Sequence, residues 1–395
     1  MPLDRTLFTR LIPPKRDDPD GRVLELDALR GLASLNVVLF HYTFRFDRLF
    51  TESDSAPTSA AWEWLRNLGV PMFFIISGLV IPRTIDRAIA AAHGRGPRLR
   101  AVRAFLFGRF SRLYPTFWAA AALTLLLVGA FGLAGRHVSP AAALANLTMI
   151  PQAVGAAASL ILGERVRFPY IDGVYWSLEV EWKFYALVAL LVTVGLRRWL
   201  HWALAAMIVI DAMRPGGVLG DLARSIGAGP AIRALSHFTF VRDAQTLFLI
   251  GLLIHEQARA RRAGLRRWWI APLMLLCAAQ VVADREPFAA AACAANAALV
   301  WTVANRRVRP LAHPALLFLG SISYALFLVH QNIGYIVIGR TLEAGWPRVT
   351  ATLAALSVAL ALAALLTGLV ERPCKRFIRA RLTPPRGPAG RTAAP

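Results

Sequence analysis

Residues 24–46 read LELDALRGLASLNVVLFHYTFRF, an apolar run with Asp27, Arg30 and His41 set within it. A membrane helix needs about 20 mostly apolar residues to cross about 30 Å of hydrocarbon, and the run is long enough. It follows a polar segment with five basic residues (Arg5, Arg10, Lys15, Arg16, Arg22) and has no small-residue cleavage site after it, so it reads as a retained span, not a signal peptide. At about 100° per residue, Arg30 and His41 differ by about 20° around the helix axis and Asp27 lies within about 60° of Arg30. All three share a face, with His41 about 16 Å beyond Arg30. An ionisable residue at the centre of a span costs about 2.5–3.5 kcal/mol, which makes each a functional candidate. Histidine takes and returns a proton near neutral pH, as a general base must. An interfacial histidine hydrogen-bonded to a neighbour is the bland alternative.

The pattern repeats along the chain. Further runs lie at 67–83, 113–133, 173–196, 199–213, 243–257, 268–283, 287–304, 315–339 and 349–370, which with 26–46 makes ten. A weaker one, 140–152, contains Asn146 between Pro140 and Pro151 and reads as re-entrant or interfacial. Hydrophobic residues are 56% of the 395 and charged residues 17%, too apolar a balance for soluble domains. Of 45 Lys and Arg, thirty fall on one side if ten spans are drawn, and counting 140–152 as a span destroys that asymmetry. The expectation is an all-α polytopic integral membrane protein with about ten transmembrane helices plus one short re-entrant or interfacial segment, in a bacterial cytoplasmic (inner) membrane with both termini cytoplasmic.

Three parts follow: a cytoplasmic segment 1–23, a membrane domain 24–376 and a disordered tail 377–395. The longest pieces outside the spans are an Arg-rich loop 83–112, an outer loop 153–172 and the stretch 214–242. The net charge of +22 is dispersed in clusters between apolar runs, which sets orientation and excludes nucleic acid as a partner. Cys277, Cys293 and Cys374 follow no metal spacing, so no metal site is expected and the thiols read as reduced and structural.

The fourth run opens Tyr175-Trp176-Ser177-Leu178-Glu179-Val180-Glu181-Trp182-Lys183-Phe184-Tyr185. Glu179 and Lys183 are spaced to pair, whereas Glu181 lies about 200° from Glu179 and joins Ser177 and Tyr185. An aromatic belt with snorkelling charges would look similar. Arg109 and Arg112, one turn apart at the mouth of the third span, suit phosphate oxygens, as would a plain positive-inside stop. Phe73-Phe74-Ile75-Ile76-Ser77-Gly78 places a small pair inside the second span, for close helix approach or for a ligand meeting backbone, with Ser77 a minor candidate nucleophile. His330 sits in the ninth span after Ser323-Tyr324, with a packing hydrogen bond as its alternative role. His93, His137, His201, His237, His255 and His313 carry no special pattern.

Taken in order, these pieces resemble the acyltransferase 3 family of integral membrane acyltransferases. The likeness lies in Leu26-Asp27-Ala28-Leu29-Arg30-Gly31-Leu32-Ala33 followed by His41, Phe73 to Gly78, Arg109-Phe110-Ser111-Arg112-Leu113-Tyr114-Pro115, Trp176 to Glu181 with Phe184-Tyr185, Ile322-Ser323-Tyr324 with His330, and Glu371-Arg372-Pro373. Ala28 stands where Gly is common, and Trp182-Lys183 where Glu-Gln is common.

The resemblance implies a stand-alone form that transfers an acyl group, most often acetyl, from acyl-coenzyme A to a hydroxyl of a carbohydrate or other small acceptor, such as a cell-surface polysaccharide or secreted glycoconjugate. His41 corresponds to the family's essential histidine, Arg30 to its motif partner, and Arg109 and Arg112 to the pair linked to the acyl donor. Asp27, Glu179 and Glu181 are expected to orient His41 during catalysis, Arg103 and Ser77 to add to donor binding, and Trp176, Ser177, Tyr324 and His330 to complete the motif positions. An acyl-His intermediate is the live variant. The rivals are a proton-coupled transporter or flippase and a binding protein without turnover.

Overall fold

The structure, a computed structural model, describes residues 23–46, 60–92, 96–133, 138–236, 244–305 and 308–382. Most of the 1–23 segment, the tail beyond 382, and His93, His137 and His237 lie outside the described residues. Every one of the ten apolar runs is occupied by helix.

In chain order these are α1 (Leu24–Phe40), α2 (Ala60–Ala91), α3 (Pro97–Phe131), α4 (Pro140–Asn146), α5 (Pro151–Leu162), α6 (Trp176–Thr193), α7 (Leu200–Ala212), α8 (Gly220–Ser225) and α9 (Gly229–Ser236). There follow α10 (Ala244–Arg262), α11 (Ile270–Asp284), α12 (Pro287–Ala304), α13 (Pro314–Glu343), α14 (Arg348–Leu366) and α15 (Arg372–Leu382). Two π-helical turns interrupt the series, His41–Arg45 after α1 and Thr367–Glu371 between α14 and α15. Such turns concentrate at functional sites, and these begin at His41 and end at Glu371.

Five helical segments are long and apolar enough to cross a membrane by length and composition: Arg66–Ala91, Pro97–Phe131, Pro287–Ala304, Pro314–Glu343 and Arg348–Ile378. The pair α4 and α5, bent by 119°, makes a sixth if counted as one span. The chain is an all-α polytopic membrane protein.

Helix directions follow from which residues meet. Asp27 and Gly31 of α1 lie against Gly320 of α13, and Tyr42 against Gly334, so the two helices run parallel. A Cβ on Gly320 would overlap the backbone of Asp27, so only glycine permits this approach. Likewise Gly78 of α2 meets the Phe248 carbonyl of α10, and Gly251 meets that of Ile75. Phe184 stacks on Phe248 at 4.1 Å, extending the same core to α6.

Three expectations change. Within the Arg-rich stretch 83–112 the described residues are helical up to Ala91 and again from Pro97, because Arg, Leu and Ala favour helix and Pro is at home in a first turn, here after Gly96 at φ 66°. Arg109 therefore sits within a helix of 35 residues, about 18 Å from its first residue. The outer loop 153–172 is helical to Leu162, a continuation of the bent element, because Pro151 at its first turn starts a helix as readily as it stops one. The segment expected to be disordered from 377 stays helical through Leu382, carried on from α14.

Candidate active site

Five helices, α1, α2, α3, α6 and α13, line a cavity between them. Arg30, Ser77, Arg109, Arg112, Ser177, Glu181, Tyr185 and Tyr324 all line it, with Phe73, Phe74 and Phe327 as its aromatic wall. Three guanidinium groups face one lining carboxylate, Glu181, leaving the space electropositive. Ser77 donates its hydroxyl to Glu181 Oε1 at 2.8 Å, and Tyr185 lies in hydrogen-bonding contact with both Glu181 and Arg109. The Arg109 guanidinium sits over the Phe105 and Tyr185 rings at 5.5 and 5.7 Å. Arg30 donates to Asp27 Oδ1 at 3.3 Å, one turn back on α1. Tyr324 donates its phenol to the Leu113 carbonyl at 2.9 Å, pinning α13 to α3 beside Arg112.

The two residues of the Ser77-Gly78 pair divide the work foreseen for them. Gly78 packs α2 on α10, and Ser77, one residue back, opens on the cavity.

His41 stands apart from this cavity, against His330. His41 Nδ1 lies 2.8 Å from the Val37 carbonyl and 3.2 Å from His330 Nε2. A carbonyl only accepts, so His41 Nδ1 carries the proton. His330 Nδ1 likewise donates to the Phe327 carbonyl at 2.9 Å, which leaves its Nε2 lone pair to accept from His41. His41 Nε2 is then the unprotonated nitrogen, and it bonds no described residue. Phe327 links the two parts, because it lines the cavity and its ring lies 5.8 Å from that of His330.

Several expected site residues lie elsewhere. Glu179 faces away from the cavity: its Oε2 accepts from the Gln152 backbone at 3.1 Å and from the Tyr170 phenol at 3.0 Å, and Oε1 pairs with Lys183 at 3.2 Å. It thus caps the start of α5, where a carboxylate satisfies free N–H groups. Burial and the Glu179 charge hold the Tyr170 phenol above its ordinary range, so it stays a donor. Asp27 serves Arg30 and lies about 21 Å along α1 from His41. None of the three carboxylates proposed to orient His41 bonds it, because the facing helix at that level presents His330. Arg103 is exposed, about 120° around α3 from Arg109, and is outside the lining. Trp176 packs its ring on Phe74 at 6.0 Å without lining the cavity.

Sequence reasoning passed over Asp172. It is fully buried, accepts from Val174 N at 3.2 Å as a helix cap, and accepts from Asn332 N at 3.0 Å, two residues past His330. Its Asp-Gly position before a helix signals the cap but not the link to α13. The carbonyls flanking it on α13 take phenols, Leu328 from Tyr175 at 3.2 Å and His330 from Tyr42 at 2.8 Å, which fixes the backbone under the histidine. Among the described residues no group of three or more His, Cys, Asp or Glu side chains is placed to hold a metal ion.

Fold and site together define a polytopic membrane protein with an arginine-lined cavity between its helices, beside a histidine pair. The family model described as an acyltransferase domain matches residues 23–368, and the chain belongs to the acyltransferase 3 family. Membership makes it a membrane acyltransferase in general terms. No curated protein and no solved structure matches the chain.

Proposed function

We propose that this chain is an O-acyltransferase that moves an acyl group, acetyl in the first instance, from acyl-coenzyme A to a hydroxyl of a carbohydrate or other small acceptor. The carrying observation is the convergence of Arg30, Arg109 and Arg112 on one cavity whose Phe327 wall adjoins the His41–His330 pair. Guanidinium forks bind phosphate oxygens bidentately, so the three arginines hold the donor's phosphates. Its flexible arm then runs past Phe327 along α1, about 16 Å from the level of Arg30 to that of His41.

At that end His41 Nε2 takes the acceptor's hydroxyl proton as the oxygen attacks the thioester carbonyl. The C–S bond breaks, and the departing sulfur recovers the proton from His41. His330 accepts from Nδ1–H throughout, holding the ring in the tautomer that exposes Nε2 as base. Glu181, bound by Ser77, offsets part of the arginine charge and leaves the cavity net positive for an anionic donor. A covalent variant has His41 carry the acyl group itself, and a trapped acyl-enzyme would distinguish it. The setting is a bacterial inner membrane with the arginine-rich end cytoplasmic, and the acceptors that fit are surface polysaccharides or secreted glycoconjugates.

The test is binding of acetyl-coenzyme A to the detergent-purified protein, wild type against Arg109→Ala/Arg112→Ala. Binding by wild type that disappears in a folded double variant supports the donor half. A folded wild type that binds no acyl-coenzyme A overturns it.

A further inference from the structure

A second, larger and more open basin lies at the end of the bundle where α2, α10 and α12 finish and α1 begins. Its lining includes Arg83, Arg87, Arg259, Arg261 and Arg262. It is distinct from the cavity described above: Arg83 stands about 120° around α2 from Ser77, so the helix separates the two. Like charges one helical turn apart repel, and such a cluster calls for counter-charge. The lining holds one carboxylate, Asp86, and that is taken from outside by Arg197 at 3.1 Å. Glu256, next to His255 on α10, is taken by Arg267 at 2.9 Å.

His255 supplies an independent sign. It lines the basin and is 5% exposed. Arg83 Nε–H donates to its Nδ1 at 3.0 Å, which places the ring proton on Nε2. That N–H is buried with no hydrogen-bond partner. A buried donor left without an acceptor is a cost that an anionic oxygen removes.

We infer that this basin is a binding site for a phosphate-bearing anion, held by the exposed guanidinium groups of Arg87, Arg259 and Arg262 with the His255 N–H as its buried donor. The same chemistry comes from two sources, the headgroup of an anionic phospholipid at the membrane surface or a soluble phosphate ester. The inference does not rest on the reading of the first cavity.

The full-length protein in nanodiscs of phosphatidylcholine is titrated with inorganic pyrophosphate and followed by thermal unfolding. A raised Tm in wild type, with affinity at least tenfold weaker in Arg259→Gln/Arg262→Gln and in Arg87→Gln but kept in Arg109→Gln/Arg112→Gln, is the expected result. All the basin arginines replaced are exposed, and two sites on different helices guard against a single misfolded variant. Displacement by phosphatidylglycerol in the disc assigns a lipid source, and displacement by coenzyme A a soluble one. No pyrophosphate response in wild type with no preference for phosphatidylglycerol overturns the site, as does a response abolished only by the Arg109/Arg112 pair.

Discussion

His330 Nε2 lies 3.2 Å from His41 Nδ1, across a contact between helices 289 positions apart in sequence. His41 keeps a second acceptor in the Val37 carbonyl, so His330 positions a ring that its own helix already holds.

Replacing His41 by Ala is expected to lower acyl transfer by about 10²–10⁴, the usual worth of a general base. His330→Ala is expected to cost on the order of tenfold, since one hydrogen bond is worth about 0.5–1.5 kcal/mol. His330→Gln, whose amide oxygen can accept, should recover much of the loss, a rescue that a purely space-filling role would not show. Single-turnover rates with acetyl-coenzyme A and a simple hydroxyl acceptor measure all three.

Arg109→Gln and Arg112→Gln should each weaken acyl-coenzyme A binding by about 10–100-fold, on the scale of a charge-assisted bond of about 1.5–3 kcal/mol. Arg103→Gln should leave the affinity unchanged, because Arg103 is exposed and outside the cavity. Calorimetric titration separates the two outcomes, and an equal loss at Arg103 would contradict the placement.

The two glutamates of α6 should part company. Glu179→Gln is expected to cost stability, about 1–3 kcal/mol, by weakening its hold on Gln152 N, Tyr170 and Lys183. Glu181→Gln should leave the melting temperature near wild type and lower transfer. The tie from Tyr170 should be constant with pH in the physiological range: its folded value is raised, so its contribution is complete below the ordinary phenol value of about 10 and fades only above it. Thermal scans from pH 6 to 9 comparing wild type with Tyr170→Phe should show a constant gap.

Gly78→Val should abolish folding or lower the melting temperature sharply, because its first side-chain atom already overlaps the Phe248 carbonyl of α10. Gly339→Ala on α13, with nothing within 4 Å, should be neutral or stabilise by up to about 1 kcal/mol. Fluorescence-detected size exclusion after heating compares the two.

The pairing of Glu179 with Lys183, that of Asp27 with Arg30, and the break between Pro140 and Pro151 were legible because each depends on residues within a few turns of one helix. Arg109 and Arg112 were legible as a pair, but the helix running well before them was not, since an Arg-rich stretch reads as loop on hydropathy while its residues favour helix. Glu179 looked like a catalytic twin of Glu181. Only the bend between α4 and α5 brings Gln152 N to it, and only the face of α6 that meets α2 brings Ser77 to Glu181.

By itself the sequence determined an all-α membrane protein and which side chains lie on which helical faces, because apolar run length and helical periodicity are local properties. The tertiary structure decided the partners: His330 for His41, Ser77 for Glu181, and Asp172 for the backbone of α13. Those choices turn on which helices approach closely enough at Gly31, Gly78, Gly251 and Gly320 for their faces to meet, and packing across hundreds of residues leaves no periodic trace in the chain.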